Sequence, residues 1–592
     1  MLIPYTLTII LVIAGLLLML LMGWAAWRHR NPSLPPDPNT PQNLKDFGPT
    51  ATDIWLRGLR AFLALLLLTL FGFHSYWVFW ADSSEGFNRS KNFDRRNRRL
   101  AESGLKGWVL DRSGKLENAL IRYRADAGVV TRGYPLGAAA VHLTGYSDFI
   151  FGSGGMEYGF RDWLTKPASL SNQIQSPTPV GTDLKVSIDG NFQRDAYNLL
   201  QSARKPAAAV VLLLPNNEVL AMASTPSFEP GAIREESAWL RLSEQAEEAP
   251  LISPLVNRAL GTLVTGGASF YYRPGSTFKT FTAAAAIDSG VTQEKFTCRA
   301  EGFTPPGSNR PIRDFAGEVH GAIGLEDAFK HSCNQYFAQL GLKLGRDRLL
   351  NYARRLNFAT DPDGSIQRAA NLWQIQHGDP DDFNFIFAPP VTRMNLSPDA
   401  TSYDIALQSI GQGFDDLTVM GMALIAAAAA SEDGSYVAPT FAVGAERKVI
   451  GPFINPQSAA RLRELMRLVV ESGTAAGAFA PMRGRISAGG KTGTADRVVR
   501  AYDREGKPIV AYVEEDGRKV YKNVEYTDSW FVGFAPADKP RIAFAVVVED
   551  GGEGARAAAP IAAKLIERAA TLGYLPAGQA SANRPRAQRE RR

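Results

Sequence analysis

Residues 271–290 read YYRPGSTFKTFTAAAAIDSG. Arg273-Pro274-Gly275 breaks the chain, and an alanine-rich run follows until Gly290. The pattern predicts a helix that Ser276 opens. Lys279, three residues on, lies on the same helical face one turn above it. That spacing sets an amine beside a hydroxyl. A serine hydroxyl is a weak nucleophile until a neighbouring base takes its proton. A helix N-terminus also favours developing negative charge. The spacing alone is weak, because Ser103–Lys106 and Ser202–Lys205 repeat it without a preceding Pro-Gly and a following apolar helix. For a single match, a solvated surface pair is the better reading.

Working outward, Ser332-Cys333-Asn334 follows 56 residues after Ser276, and Lys491-Thr492-Gly493-Thr494 a further 159 residues on. The bland reading of the first is a helix N-cap, and Ser90-Lys91-Asn92 is a decoy. The second reads as a glycine-containing strand near a turn. Alternation there puts Lys491 and Gly493 on one side and Thr492 and Thr494 on the other. Gly493 permits a close backbone approach.

The surrounding body, roughly 101–575, reads as mixed α/β. Ala208–Leu214 and Val219–Ser224 flank a PNNE turn and predict a hairpin. Residues 191–204 predict an amphipathic helix, 542–548 (IAFAVVV) a buried strand, and 557–570 a helix packed on it. Paired strands with helices between them imply a mainly antiparallel sheet with helical layers. The chain has 592 residues, which implies several units. Its two Cys exclude a disulfide-built scaffold. Its six His, at 29, 74, 142, 320, 331 and 377, form no metal-binding spacing, so no metal or cofactor is expected. A net charge of +6 over this length does not call for nucleic acid.

Residues 5–27 and 61–81 are uncharged, apolar and edged by Trp, and each is long enough to cross ~30 Å of hydrocarbon. Two transmembrane helices are expected. A cleaved signal peptide is the competing reading of the first, but its length and lack of a basic start count against that. The loop 28–60 and the flank 89–99 are both basic, so charge leaves orientation open. Residues 576–592 form a basic tail that is expected to be disordered.

Taken together, Pro-Gly-Ser276-x-x-Lys279, then Ser332-x-Asn334, then Lys491-Thr492-Gly493 resemble the constellation of penicillin-interacting serine enzymes. The chain is similar to class B penicillin-binding proteins, monofunctional D,D-transpeptidases of cell-wall synthesis. Segments 106–114, 131–146, 152–160, 210–230, Asn257-Arg258-Ala259, SIGQG (409–413), SGTA (472–475) and DSWFVGFAP (528–536) extend the resemblance over most of 105–575. Departures are Lys106 for Arg, Asn216-Asn217 for a glycine turn, Val419 for Pro, a long charged insertion at 497–526, and an extra first membrane helix.

The resemblance implies a serine penicillin-recognising transpeptidase fold at 191–575. It also implies an elongated N-terminal pedestal at 101–190 and a membrane-anchoring region at 1–100. It implies Ser276 as nucleophile, Lys279 as its base, and Ser332 with Lys491 as the route of a proton to the leaving amine. Asn334 would hold the substrate amide. The N–H groups of Ser276 and Thr494 would form the oxyanion hole, and Lys491, Thr492, Gly493 and Thr494 would bind the substrate. That substrate is the D-Ala-D-Ala end of a peptidoglycan stem peptide, which a β-lactam mimics. The implied partners are a multi-span glycosyltransferase of the shape, elongation, division and sporulation type and other elongation or division proteins. The catalytic domain would lie outside the cytoplasmic membrane. There Cys298 and Cys333 could pair, although two free thiols is the default. A D,D-carboxypeptidase, a membrane-anchored β-lactamase and a β-lactam sensor remain as alternatives. No Glu follows Asn334 before Phe358 to serve a β-lactamase, and 28–60 is short for a sensor's effector domain.

Overall fold

The computed structural model describes residues 51–79 and 105–576, apart from 127–128, 149, 167–180, 249–251, 268, 293, 359, 361–372, 389–391, 395, 414, 498–499, 503–507, 510–512, 516–517 and 521–525. The first expected membrane segment, the flank 80–104 and the tail from 577 lie outside them. Contacts divide the chain into Met1–Ala101 and Glu102–Arg592.

In the first unit, helix α1 spans Ala51–Phe79. Its stretch Leu56–Phe73 is long and apolar enough to cross a membrane. The helix starts ten residues before the expected span, so 51–60 is helix and not loop. Hydropathy marks only the apolar window. Arg57 and Arg60 are good helix formers that nothing there forces out of the helix.

In the second unit, the region before residue 190 carries a small sheet. Its strands are β1 (Val109–Leu110), β2 (Ala119–Asp126), β3 (Val129–Gly133) and β4 (Leu184–Lys185), in the order β3-β2-β1-β4. A buried knot holds it: Glu157, wholly buried, takes Arg132 Nε at 2.7 Å and Lys106 Nζ at 3.3 Å. Lys106, which departs from the usual Arg, is therefore paired and not exposed.

Helix α2 (Gly190–Gln201) is capped by Asp189, which accepts from the N–H groups of Asn191 and Phe192. The hairpin follows as β5 (Ala207–Leu213) and β6 (Glu218–Thr225). Asn217 in its turn has φ +53°, which Asn tolerates well, so it replaces glycine at little cost. The remaining elements used below are α3 (Lys279–Asp288), β7 (Phe296–Cys298), β8 (Gly321–Ile323), α4 (Leu325–Lys330), α5 (Asn334–Leu344), α6 (Val419–Ala430) and α7 (Pro456–Glu471). They close with β9 (Gly489–Arg497), β10 (Tyr526–Ala535), β11 (Ile542–Val548) and α8 (Ala558–Thr571).

The central sheet is antiparallel, in the order β9-β10-β11-β5-β6. Every residue of β11 is buried, so helices cover both faces. Helices α2 and α8 pack on each other and on the sheet. Helix α6 (VMGMALIAAAAA) packs on β5, β10 and β11. It is apolar all round and every residue is buried, as a core helix must be. Its small residues let backbones approach closely. Val419, the departure from Pro, takes the first helical position behind the Thr418 cap, which accepts from Gly421 N–H at 3.0 Å. Strand β9 is left at the edge of the sheet, and α3 and α7 pack nearby.

Candidate active site

Ser276 lies in a 3₁₀ turn, Gly275–Phe278, and the α-helix begins only at Lys279. The expectation that Ser276 opens the α-helix is thus corrected by one tight turn. Three glycines make room for this corner. Gly275 (φ +52°) lies against Thr494 O, and a Cβ there would come within 2.3 Å of it. A Cβ on Gly493 would meet Thr277 Cγ2 at 2.7 Å and Pro274 O at 3.0 Å. A Cβ on Gly554 would meet Gly493 O at 2.4 Å. The close approach that Gly493 permits is therefore to the nucleophile's own turn as well as to the cleft it lines.

Ser332-Cys333-Asn334 is the corner between α4 and α5. The chain leaves α4 through His331, and Ser332 takes the left-handed conformation (φ +62°) that ends many helices. Cys333 is then the N-cap of α5, its Sγ accepting from Tyr336 N–H at 3.3 Å. The bland and the functional readings of this tripeptide both hold.

The pieces converge on Ser332. Lys279 Nζ donates to Ser332 O at 2.6 Å, to Asn334 Oδ1 at 2.6 Å and to Ser332 Oγ at 3.3 Å. Lys491 Nζ donates to the same Oγ at 2.8 Å and to Thr492 O at 3.0 Å. Ser276 is only partly buried, and among the described residues no group hydrogen-bonds its hydroxyl. No hydrogen bond joins it to Lys279, whose amine is engaged with the Ser332 corner.

Both amines are wholly buried. Burial lowers Lys279 to about 8, opposed by Cys333, Asp314 and Cys298. Burial also pushes Lys491 well below the usual lysine range, and its repulsion from Lys279 adds to this. A neutral Lys279 has one N–H fewer, so Ser332 Oγ–H can donate to it while accepting from Lys491.

Ser276, Ser332, Asn334, Thr492, Gly493 and Thr494 line one cleft of about 270 Å³. Lys279 and Lys491 stand behind its wall. Residues not assigned from sequence also line it, among them Asp314, His320, Thr474 and Gln412. Thr474 Oγ1 bonds Thr492 Oγ1 at 2.7 Å, and Gln412 Nε2 donates to Thr494 O at 3.4 Å. SGTA and SIGQG carry these two residues and were the available signal. Asp314 had none, because its partners are distant in sequence.

Cys298 and Cys333 are buried free thiols with sulfurs 2.8 Å apart, close to the Asp314 carboxylate.

The site thus joins a partly buried serine on the cleft wall, two buried lysines whose charged forms burial disfavours, and the edge strand β9. The Penicillin binding protein transpeptidase domain matches residues 207–567, more than half of the chain, and the chain belongs to this family as a class B penicillin-binding protein. It is 28% identical over 434 residues to the peptidoglycan D,D-transpeptidase PbpA of Mycobacterium tuberculosis, covering 68% of this chain and 75% of that one. It is 27% identical to the peptidoglycan D,D-transpeptidase MrdA of Acinetobacter baumannii over 433 residues, 70% of this chain and 57% of the relative. The crystal structure of PBPA from M. tuberculosis superposes with a TM-score of 0.61 at 25% identity, over 79% of this chain and all of that one. The penicillin G acyl-enzyme complex of the same protein gives 0.59, also at 25% identity.

Proposed function

We propose that this chain is a membrane-anchored peptidoglycan D,D-transpeptidase with Ser276 as nucleophile. The observation that carries the reading is the convergence of Lys279 and Lys491 on Ser332 in a cleft that exposes Ser276. Ser276 Oγ attacks the carbonyl between the two terminal D-alanines and passes its proton to neutral Lys279. The N–H groups of Ser276 and Thr494 stabilise the oxyanion, a donor pair in which loss of one costs ~10²–10³ in rate. The C–N bond breaks, and D-alanine leaves with a proton delivered through Ser332 from the lysine pair. Asn334 holds the substrate amide. Lys491, Thr492 and Thr494 bind the terminal carboxylate, whose negative charge favours the ammonium form of Lys491, the proton being taken up from water. The edge position of β9 suits an extended peptide laid along it. A second stem peptide's amine then takes the acyl group, and a β-lactam in the same place leaves Ser276 acylated.

In this reading α1 and the 5–27 segment anchor the chain. Residues from 82 onward then lie outside the cytoplasmic membrane, and the loop between the segments lies inside. The module 101–190 serves as a pedestal for the catalytic 191–575. A multi-span glycosyltransferase supplies the glycan strand. The named activities of PbpA and MrdA support the assignment.

Membranes holding the wild type are expected to retain a fluorescent penicillin, and Ser276→Ala to retain none. Rapid loss of the label would instead indicate a β-lactamase. Release of D-alanine from a pentapeptide without any cross-linked product would indicate a carboxypeptidase.

A further inference from the structure

Thr474 belongs to none of the three motifs, yet it lines the cleft beside Ser276, Thr492 and Thr494. Its Oγ1 stands 2.7 Å from Thr492 Oγ1, and among the described residues neither hydroxyl has another hydrogen-bond partner. The backbone brings the two together. Thr474 follows the end of α7, and its N–H donates to Lys330 O at 3.3 Å. Lys330 is the last residue of α4, two before Ser332. Gly473 makes that approach possible, because a Cβ there would stand 2.6 Å from the same oxygen. The N–H of Ala475 donates to Val469 O at 3.1 Å and closes the turn. Thr492 is held from the other side by β10, where it pairs with Phe531. Both backbones are thus fixed, and only side-chain rotation is left to the pair.

The direction of the hydroxyl bond follows from what the cleft receives. A threonine hydroxyl has one proton and two lone pairs. Gly554 N–H donates to Thr494 Oγ1 at 3.4 Å, and since an N–H only donates, the Thr494 proton stays free for the cleft. Thr474 O–H can do the same for Thr492. Thr492 and Thr494 stand two residues apart on one strand face, their Cα atoms about 7 Å apart, a span that one carboxylate bridges with its two oxygens. A carboxylate accepts and cannot donate. The arrangement that satisfies it has Thr474 donating to Thr492 and Thr492 donating to the anion. Hydrogen bonds to a charged acceptor are roughly twice as strong as neutral ones, so the anion sets the order.

We propose that Thr474 is a positioning residue for recognition of the substrate's terminal carboxylate: its hydroxyl donates to Thr492 Oγ1 and turns the Thr492 proton toward the cleft. The inference rests on the reading that Lys491, Thr492 and Thr494 bind that carboxylate.

The test compares benzylpenicillin with its methyl ester, which lacks the negative charge. Each competes with a fluorescent penicillin for Ser276 in the full-length protein. The wild type should be acylated faster by the acid. A wild type that takes both equally would reject the carboxylate reading itself, and the inference with it. Given the preference, Thr474→Val should lower it about three- to tenfold, the loss of one hydrogen bond. Thr474→Ser keeps the hydroxyl and should keep the preference within about twofold. Equal slowing with acid and ester in Thr474→Val would leave the residue a structural role only and overturn the proposal, as would a serine variant that behaves like the valine one. Thr492→Val removes the acceptor, so adding Thr474→Val to it should change the preference no further. A further loss in the double variant would mean that Thr474 reaches the carboxylate by itself, and would overturn the positioning role. If Thr474→Val does not fold, Thr474→Ala is read in its place with the same expectations.

Discussion

Lys279 shows how a single buried residue is set up for chemistry. An amine wholly removed from water is costly as an ammonium, and its neighbours include two thiols and one carboxylate that oppose that cost only partly. The outcome, about 8, leaves a fraction of the enzyme with a neutral amine at physiological pH. The sign follows directly. Below about 8 Lys279 carries the proton and cannot accept another, so acylation should slow as pH falls and quicken as pH rises through that value. Lys279→Ala removes the acceptor, and a penicillin-labelling rate ~10²–10⁴ lower is expected, the usual range for a general base. A variant labelled as fast as wild type would remove Lys279 from the mechanism. The sequence placed Lys279 one turn from Ser276. It did not say that the amine would be held by Ser332 and Asn334, 53 and 55 residues away.

At the level of elements, the site is a junction of a 3₁₀ turn, a helix–helix corner and a sheet edge. Gly493 pairs with Trp530 across β9 and β10, and a Cβ there would stand 3.0 Å from Trp530 Cβ and 2.7 Å from Thr277 Cγ2. Gly493→Ala should therefore cost ~1–3 kcal/mol, as overpacking of a close-packed site does. Thermal unfolding would measure that loss, and acylation should fall with it because the clash pushes on the turn carrying Ser276. An undisturbed melting temperature would mean that the turn yields freely. From sequence, Gly493 could be assigned a close approach but not to what. The same holds for the hairpin β5–β6 and for β11. Their apolar runs were legible because both faces are buried, whereas their places in the sheet, β11 at its centre and β6 at the end opposite β9, were not. Helix α1 was legible as an apolar span, but its true start lay hidden beneath Arg57 and Arg60.

Across the whole molecule, distant segments brace the site. Arg258 Nε donates to Glu549 Oε1 at 2.8 Å, with both side chains almost wholly buried, and Tyr272 OH donates to the same oxygen at 2.7 Å. Tyr272 begins the run into Ser276. Glu549 leads into the loop whose Gly554 rests on Gly493 O. Breaking such a pair leaves a buried charge behind, so Arg258→Met should destabilise by ~3–5 kcal/mol, read from denaturant unfolding, with acylation impaired as well. A change below about 1 kcal/mol would show that water reaches Glu549 once the guanidinium is gone.

By itself the sequence determined the chemistry available. A hydroxyl and an amine one turn apart, a Ser-x-Asn, and a Lys-Thr-Gly are local patterns, and local patterns survive without coordinates because helical and strand periodicities are fixed by backbone geometry. Only the tertiary structure decided which groups meet. It turned Lys279 toward Ser332, set Thr474 against Thr492, and left β9 as an open edge. Those choices depend on packing between segments tens to hundreds of residues apart, where burial and close contact, not spacing along the chain, set the energy.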